Sequence, residues 1–213
     1  GQLGVGSSPA ALPLSSVPRF VDVDQAPDTT APDAPTVVSR PNAQTNASTA
    51  TISFSGEIGA TFSCSSNNGT TWATCTSPVV LTAVTVGSHT LKIRQTDKAG
   101  NVSPSATVTW LVDRTAPRLP VISVAPDQYT YETKGTFTFV GEAGATFECS
   151  IDAGDFADCD TPYTSPDLAD GSHTLTMRQT DAAGNTGDSA SYTWIIDQVF
   201  AAPPTLTGVP TKP

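Results

Sequence analysis

The sequence predicts an all-β protein made of two tandem sandwich domains, and three features carry that prediction. The composition suits short strands and many turns, apolar residues alternate with polar ones, and the whole pattern occurs twice. The chain has 213 residues, with 16 Gly and 18 Pro and only 14% charged residues. Glycine and proline at that level serve turns and interrupt helices. The length fits one large domain or two small ones.

The repeat decides for two. Residues 60–64 read ATFSC and 145–149 read ATFEC; GSHTL at 87–91 recurs at 171–175. RQTDKAGN at 94–101 returns as RQTDAAGN at 178–185, Trp110 returns as Trp194, and DRTAP at 113–117 echoes DTTAP at 28–32. The copies lie roughly 85 residues apart, a domain-sized period, so each should be a folding unit. We place the domains at 28–113 and 114–198, with extended tails at 1–27 and 199–213.

Within a copy the period is two. Ile52 and Phe54 alternate with Thr and Ser, and Phe137 and Phe139 match them in the second copy. Leu91 and Ile93 alternate with Lys92 and Arg94; Val108, Trp110 and Val112 follow the same rule, as do Tyr192, Trp194 and Ile196. Such runs are half-buried antiparallel strands. In the first copy they fall near residues 34–39, 49–55, 61–66, 71–75, 79–83, 89–96 and 105–112. Asn68-Gly69 and Gly154 mark hairpin turns between paired cysteines. About seven short strands in such a length indicate a sandwich of the immunoglobulin or fibronectin-III kind.

Charge and cysteines narrow the setting. The net charge is −10 and the basic residues are scattered, so nucleic acid would be repelled. No stretch is apolar for the roughly 18 residues that a helical membrane span requires, so no membrane insertion is expected. The chain starts at Gly1 without a basic-then-apolar leader, which reads as a mature start after export. Cys64/Cys75 and Cys149/Cys159 form two close pairs. An even count at matched spacing points to disulfides and an extracellular or cell-surface location. Zinc is the rival, but its short CxxC spacing is absent. A disulfide here pins one hairpin and has a structural role.

The run from ATFECSIDAGDFADC through GSHTLTMRQTDAAGN to SYTWIID resembles the tandem bacterial Ig-like repeats of large secreted and cell-surface proteins. The resemblance covers about residues 28–197. It implies a β-sandwich and a spacer or surface role, and names no ligand.

Chemistry is sparse. His89 and His173 occupy the same place in both copies, each after a Gly-Ser turn, and read as turn or hydrogen-bonding residues. No nucleophile sits in a recognisable elbow, so no enzyme is expected. Asn46, Asn68 and Asn101 lie in N-x-S/T triplets, which a Ser/Thr-rich chain produces by chance. Trp72, replaced by Phe156 in the second copy, either packs over the disulfide or stands exposed as a thin sugar platform.

Carboxylates suggest one cofactor. The loops and linker at the top of the second domain carry Asp113, Glu142, Asp181 and Asn185; the first domain offers Asp28, Glu57, Asp97 and Asn101. Oxygens from a linker and two loops suit Ca²⁺, which would stiffen the junction. The competing reading is that Asp in D-x-A-G-N only forms a turn.

The tails suggest assembly. Phe20-Val21-Asp22-Val23-Asp24 loosely resembles the end of a last strand, and APPTLTGVP at 202–210 resembles the opening strand APRLPVISVAP at 116–126. Either they are fragments of neighbouring repeats in a longer array, or they add as strands to the next molecule. The expected partners are therefore further copies or neighbouring Ig-like domains, in a surface appendage, filament or particle exterior. A spacer or binding segment of an adhesin, or an accessory carbohydrate-binding module with a glycan ligand, is the alternative. If Ca²⁺ stiffens the junction, millimolar Ca²⁺ should raise the melting temperature and chelator lower it; an indifferent melt contradicts that.

Overall fold

The computed structural model describes residues 26–199. It holds sixteen β-strands and, among the described residues, no helix. The expected tail strands at 1–27 and 199–213 fall, but for Ala26, Pro27 and Val199, outside the described residues.

The first half contains β1 (Thr36–Ser39), β2 (Gln44–Thr45), β3 (Ala50–Ser55), β4 (Thr61–Ser65), β5 (Ala73–Cys75), β6 (Val79–Leu81), β7 (Gly87–Thr96) and β8 (Ala106–Val112). The second contains β9 (Val121–Val124), β10 (Tyr129–Thr130), β11 (Thr136–Val140), β12 (Thr146–Ile151), β13 (Ala157–Cys159), β14 (Tyr163–Thr164), β15 (Gly171–Thr180) and β16 (Ala190–Ile196). Each half folds into a three-stranded and a five-stranded sheet. Their orders are β1-β3-β6 with β2-β8-β7-β4-β5, then β9-β11-β14 with β10-β16-β15-β12-β13. The fold is thus the tandem pair of Ig-like sandwiches that the alternation predicts.

Period two decides which residues meet between the sheets. Ala50, Ile52 and Phe54 of β3 meet Leu91, Ile93, Val108, Trp110 and Val112 from β7 and β8. Phe137, Phe139, Leu175, Met177, Trp194 and Ile196 fill the second core. Phe137 meets Trp194 edge-on at 5.2 Å, and Phe139 meets Phe147 at 4.9 Å, geometries that add to area burial.

Two elements depart from the sequence reading. β2 and β10 are two-residue strands running parallel to β8 and β16. A strand that short leaves no alternation to read. In the second hairpin the left-handed backbone falls on Asp152 (φ 52°) and Ala153 (φ 60°), not on Gly154. The first hairpin turns on Asn68 (φ 58°) and Gly69 (φ 92°), as its Asn-Gly pair predicts. Asp152 holds its turn from the side: its Oδ1 accepts the Thr174 N–H at 2.8 Å.

Cys64–Cys75 and Cys149–Cys159 are bonded, each joining the two strands of one hairpin. Cys64 lies opposite Ala73, and Cys75 opposite Phe62, so the first bond runs diagonally within one sheet. On the outer face the same hairpin carries Trp72, half-buried beneath the Arg94 guanidinium at 4.2 Å. Arg178 covers Phe156 at 4.1 Å in the second copy and also donates to Glu148 at 2.9 Å. Trp72 therefore serves the hairpin, and its indole N–H donates to the Gly69 carbonyl.

A ten-residue loop closure restrains the unfolded chain, so Cys149→Ala/Cys159→Ala should cost about 2–3 kcal/mol in urea denaturation. No loss would show that the hairpin is held by its strand pairing and the Arg178–Phe156 contact alone.

Candidate functional site at the joint between the sandwiches

The repeated R-Q-T-D-x-A-G-N run builds one end of each sandwich. Its arginine faces outward over the hairpin, and its glutamine faces inward. Gln95 is buried; its Oε1 accepts the Glu57 N–H at 2.8 Å and its Nε2 donates to the Asp33 carbonyl at 2.7 Å. Gln179 repeats this with the Glu142 N–H at 2.9 Å and the Arg118 carbonyl at 2.5 Å. One side chain thus satisfies two backbone groups where the first strand and the corner after β3 or β11 converge. A Cβ at Gly56 or Gly141 would collide with that glutamine, which explains the glycine at both corners.

The aspartate and asparagine close the next turn. Asp181 Oδ1 accepts the N–H groups of Ala183 and Asn185, both at 2.8 Å, and Oδ2 accepts Asn185 Nδ2 at 2.8 Å. Asn185 Nδ2 also donates to the Asp113 carbonyl of the linker at 3.0 Å. The first domain repeats the scheme on its own leading segment: Asn101 Nδ2 donates to Asp97 at 2.8 Å and to the Asp28 carbonyl at 3.0 Å. Burial pushes the Asp181 carboxyl up, but the hydrogen bonds from Asn185 and Ala183 outweigh it and hold it below the ordinary carboxylate range. The hydrogen bond from Asn101 does the same for Asp97.

The two sandwiches meet across this loop. Asn46, just past β2, donates its backbone N–H to the Ala183 carbonyl at 3.0 Å and its Nδ2 to the Gly184 carbonyl at 2.9 Å. The linker closes the other side. Asp113 N–H donates to the Thr45 carbonyl, and Asp113 Oδ1 accepts the Thr115 N–H. Arg114 folds back onto the first domain, donating to the carbonyls of Asn46 (3.1 Å), Ala47 (3.1 Å) and Val84 (2.8 Å). A Cβ at Gly187 would strike the Pro117 carbonyl, so the second domain sits close against the linker.

Of the residues grouped for Ca²⁺, Asp113, Asp181 and Asn185 gather at this joint, and Asp28, Asp97 and Asn101 gather at the equivalent end of the first domain. Glu57 and Glu142 join only through their backbone N–H groups, and their side chains are exposed. Among the described residues no three His, Cys, Asp or Glu side chains cluster as a metal site. The joint residues that sequence reasoning missed are Asn46, which drew attention only as part of an N-x-S triplet, and Arg114, which appeared only within DRTAP.

His173 is held at both ring nitrogens. Its Nδ1 lies 2.7 Å from Asp152 Oδ2 and its Nε2 lies 2.8 Å from the Ala169 carbonyl. Both partners accept, so both bonds form only when the ring carries both protons. The hydrogen bond to Asp152 raises the His173 pKa above its ordinary value of 6.5, against partial burial. For Asp152, burial works upward, but the bonds from His173 and Thr174 prevail and lower it below 3.8. His89 keeps only the carbonyl contact, to Thr85 at 2.7 Å, with Asn67 standing where the second copy has Asp152.

The raised His173 pKa gives stability that is complete below pH 6.5 and is lost as pH climbs through the folded value above it. The lowered Asp152 pKa gives stability present above pH 3.8 and lost as pH falls through the folded value below it. The melting temperature should therefore decline as pH rises above 6.5, and His173→Gln should remove that decline. An unchanged pH profile in the variant would contradict the assignment.

No curated protein matches the chain. Among solved structures, fibronectin(III)-like modules of Clostridium thermocellum CbhA align over 79% of this chain and 92% of theirs, at 14% identity and a TM-score of 0.45. The chicken CNTN1 FN1-FN3 domains align over 78% of this chain and 66% of theirs, at 9% identity and a TM-score of 0.30. Residues 123–198, which hold β10 to β16, match the family model described as bacterial Ig-like domain.

Proposed function

We propose that this chain is a non-enzymatic extracellular structural protein, a subunit of a surface appendage, filament or particle exterior. The observation that carries this reading is the joint. Asn46, Arg114 and Asn185 bind backbone across it, so the two sandwiches form a stiff rod segment. The polar side chains best placed to do chemistry are engaged in holding backbone. Disulfide-clipped hairpins fit an oxidising exterior. In this reading the tails add as strands to neighbouring copies. Ca²⁺ at the joint belongs to the same proposal, with the oxygens of Asp113 and Asp181 as its nearest candidates.

One feature favours a binding segment as the second reading. Leu119, Val121 and Val140 line an exposed apolar groove beside the edge strand β9. The same groove in the first domain is lined by Ala34, Thr36 and Ser55. Its apolar wall suits an extended peptide strand better than a sugar. A glycan array without hits would remove the sugar-binding form.

Light scattering of the full chain, beside a chain lacking residues 1–27 and 199–213, tests the leading reading. A full chain that polymerises and a trimmed chain that stays monomeric would assign assembly to the tails. Two monomers would contradict the assembly role and leave a spacer or binding segment.

A further inference from the structure

The internal joint shows what the D-x-A-G-N loop can receive. In the second domain the Ala183 and Gly184 carbonyls are capped by Asn46 from the turn after β2, and Ala183 is buried. In the first domain the matching Ala99 and Gly100 are exposed, and among the described residues nothing donates to their carbonyls. The loop is nevertheless set in the same shape: Asp97 accepts the Asn101 N–H at 2.8 Å, as Asp181 accepts that of Asn185. Among the described residues the first domain therefore presents a preformed receiving loop with uncapped carbonyls.

The far end of the second domain presents the matching turn. Residues 130–133, after β10, repeat residues 45–48 after β2. Glu132 N–H donates to Thr130 Oγ1 at 3.1 Å, as Ala47 N–H donates to Thr45 Oγ1 at 3.2 Å. The turn exposes Tyr131, at 65% of its surface, where the first domain has Asn46.

The two free surfaces also differ from the internal joint in a correlated way. Beside the internal contact both flanking positions are alanine, Ala47 on the turn and Ala182 on the loop. At the free surfaces they are Glu132 on the turn and Lys98 on the loop. Both are exposed, and neither is ion-paired among the described residues. Opposite charges have been added at corresponding places on two surfaces that do not meet within one chain. In a molecule of net charge −10, that local attraction is what an end-to-end contact between copies needs.

We propose that the 97–101 loop of one copy receives the 130–133 turn of a second copy, with Lys98 facing Glu132. The contact is head-to-tail and heterologous, and it continues the line of the internal joint instead of closing a dimer. This inference rests on the assembly reading and names the surface that the assembly uses. The backbone N–H of Tyr131 is the donor for the Ala99 carbonyl, in the place of that of Asn46.

Sedimentation velocity of the full chain across a concentration series tests it. The wild type should associate, and Lys98→Glu or Glu132→Lys should each weaken association about tenfold or more through like-charge contact. The double variant Lys98→Glu/Glu132→Lys should restore it, with unchanged melting curves confirming that all variants fold. A wild type that is monomeric throughout overturns both the assembly reading and this contact. Association that ignores the single reversals, or a double variant that stays weak, overturns this contact and leaves assembly to the tails.

Discussion

Backbone groups at the ends of a sandwich have no ladder partner, and satisfying them is the constraint on which this molecule is built. The sheets bury apolar side chains by simple alternation, but strands stop and turn at their ends. Here the repeated R-Q-T-D-x-A-G-N run supplies the missing partners. Gln95 and Gln179 bridge two segments from inside each sandwich. Asp97 and Asp181 collect the N–H groups of the following turn, and Asn101 and Asn185 reach back to the leading segment. The polar side chains of this motif are engaged in closing backbone hydrogen bonds.

The same constraint makes the joint. A linker of a few residues would ordinarily leave two domains free to reorient. Here the carbonyls that the second domain leaves open at Ala183 and Gly184 are closed by Asn46 of the first. Arg114 takes three carbonyls at once, a use suited to its rigid fork of donors. In the proposed rod segment, stiffness follows from satisfying backbone and needs no large apolar interface.

Much of this was legible in the sequence. The fold was readable because β3, β7, β8, β11, β15 and β16 show period two, and because the two copies check each other. β2 and β10 escaped because two residues cannot alternate. The joint was half legible: of Asp113, Glu142, Asp181 and Asn185, grouped from loop order as Ca²⁺ ligands, Asp113, Asp181 and Asn185 meet through hydrogen bonds, while the Glu142 side chain stands exposed. Their partner Asn46 could not be grouped, since its role depends on how one domain sits on the next. The proposed pairing of Lys98 with Glu132 uses positions visible in the repeat alignment, but it acquires meaning only once Ala182 and Ala47 are seen flanking a contact.

The central claim is that the two sandwiches move as one body because Asn46, Arg114 and Asn185 close the joint. Backbone ¹⁵N relaxation of the full chain tests it most directly, since each domain reports its own rotational tumbling. One anisotropic diffusion tensor should fit both domains, and it should separate into two in Asn46→Gly/Arg114→Ala. Two independent tensors in the unaltered chain would contradict it.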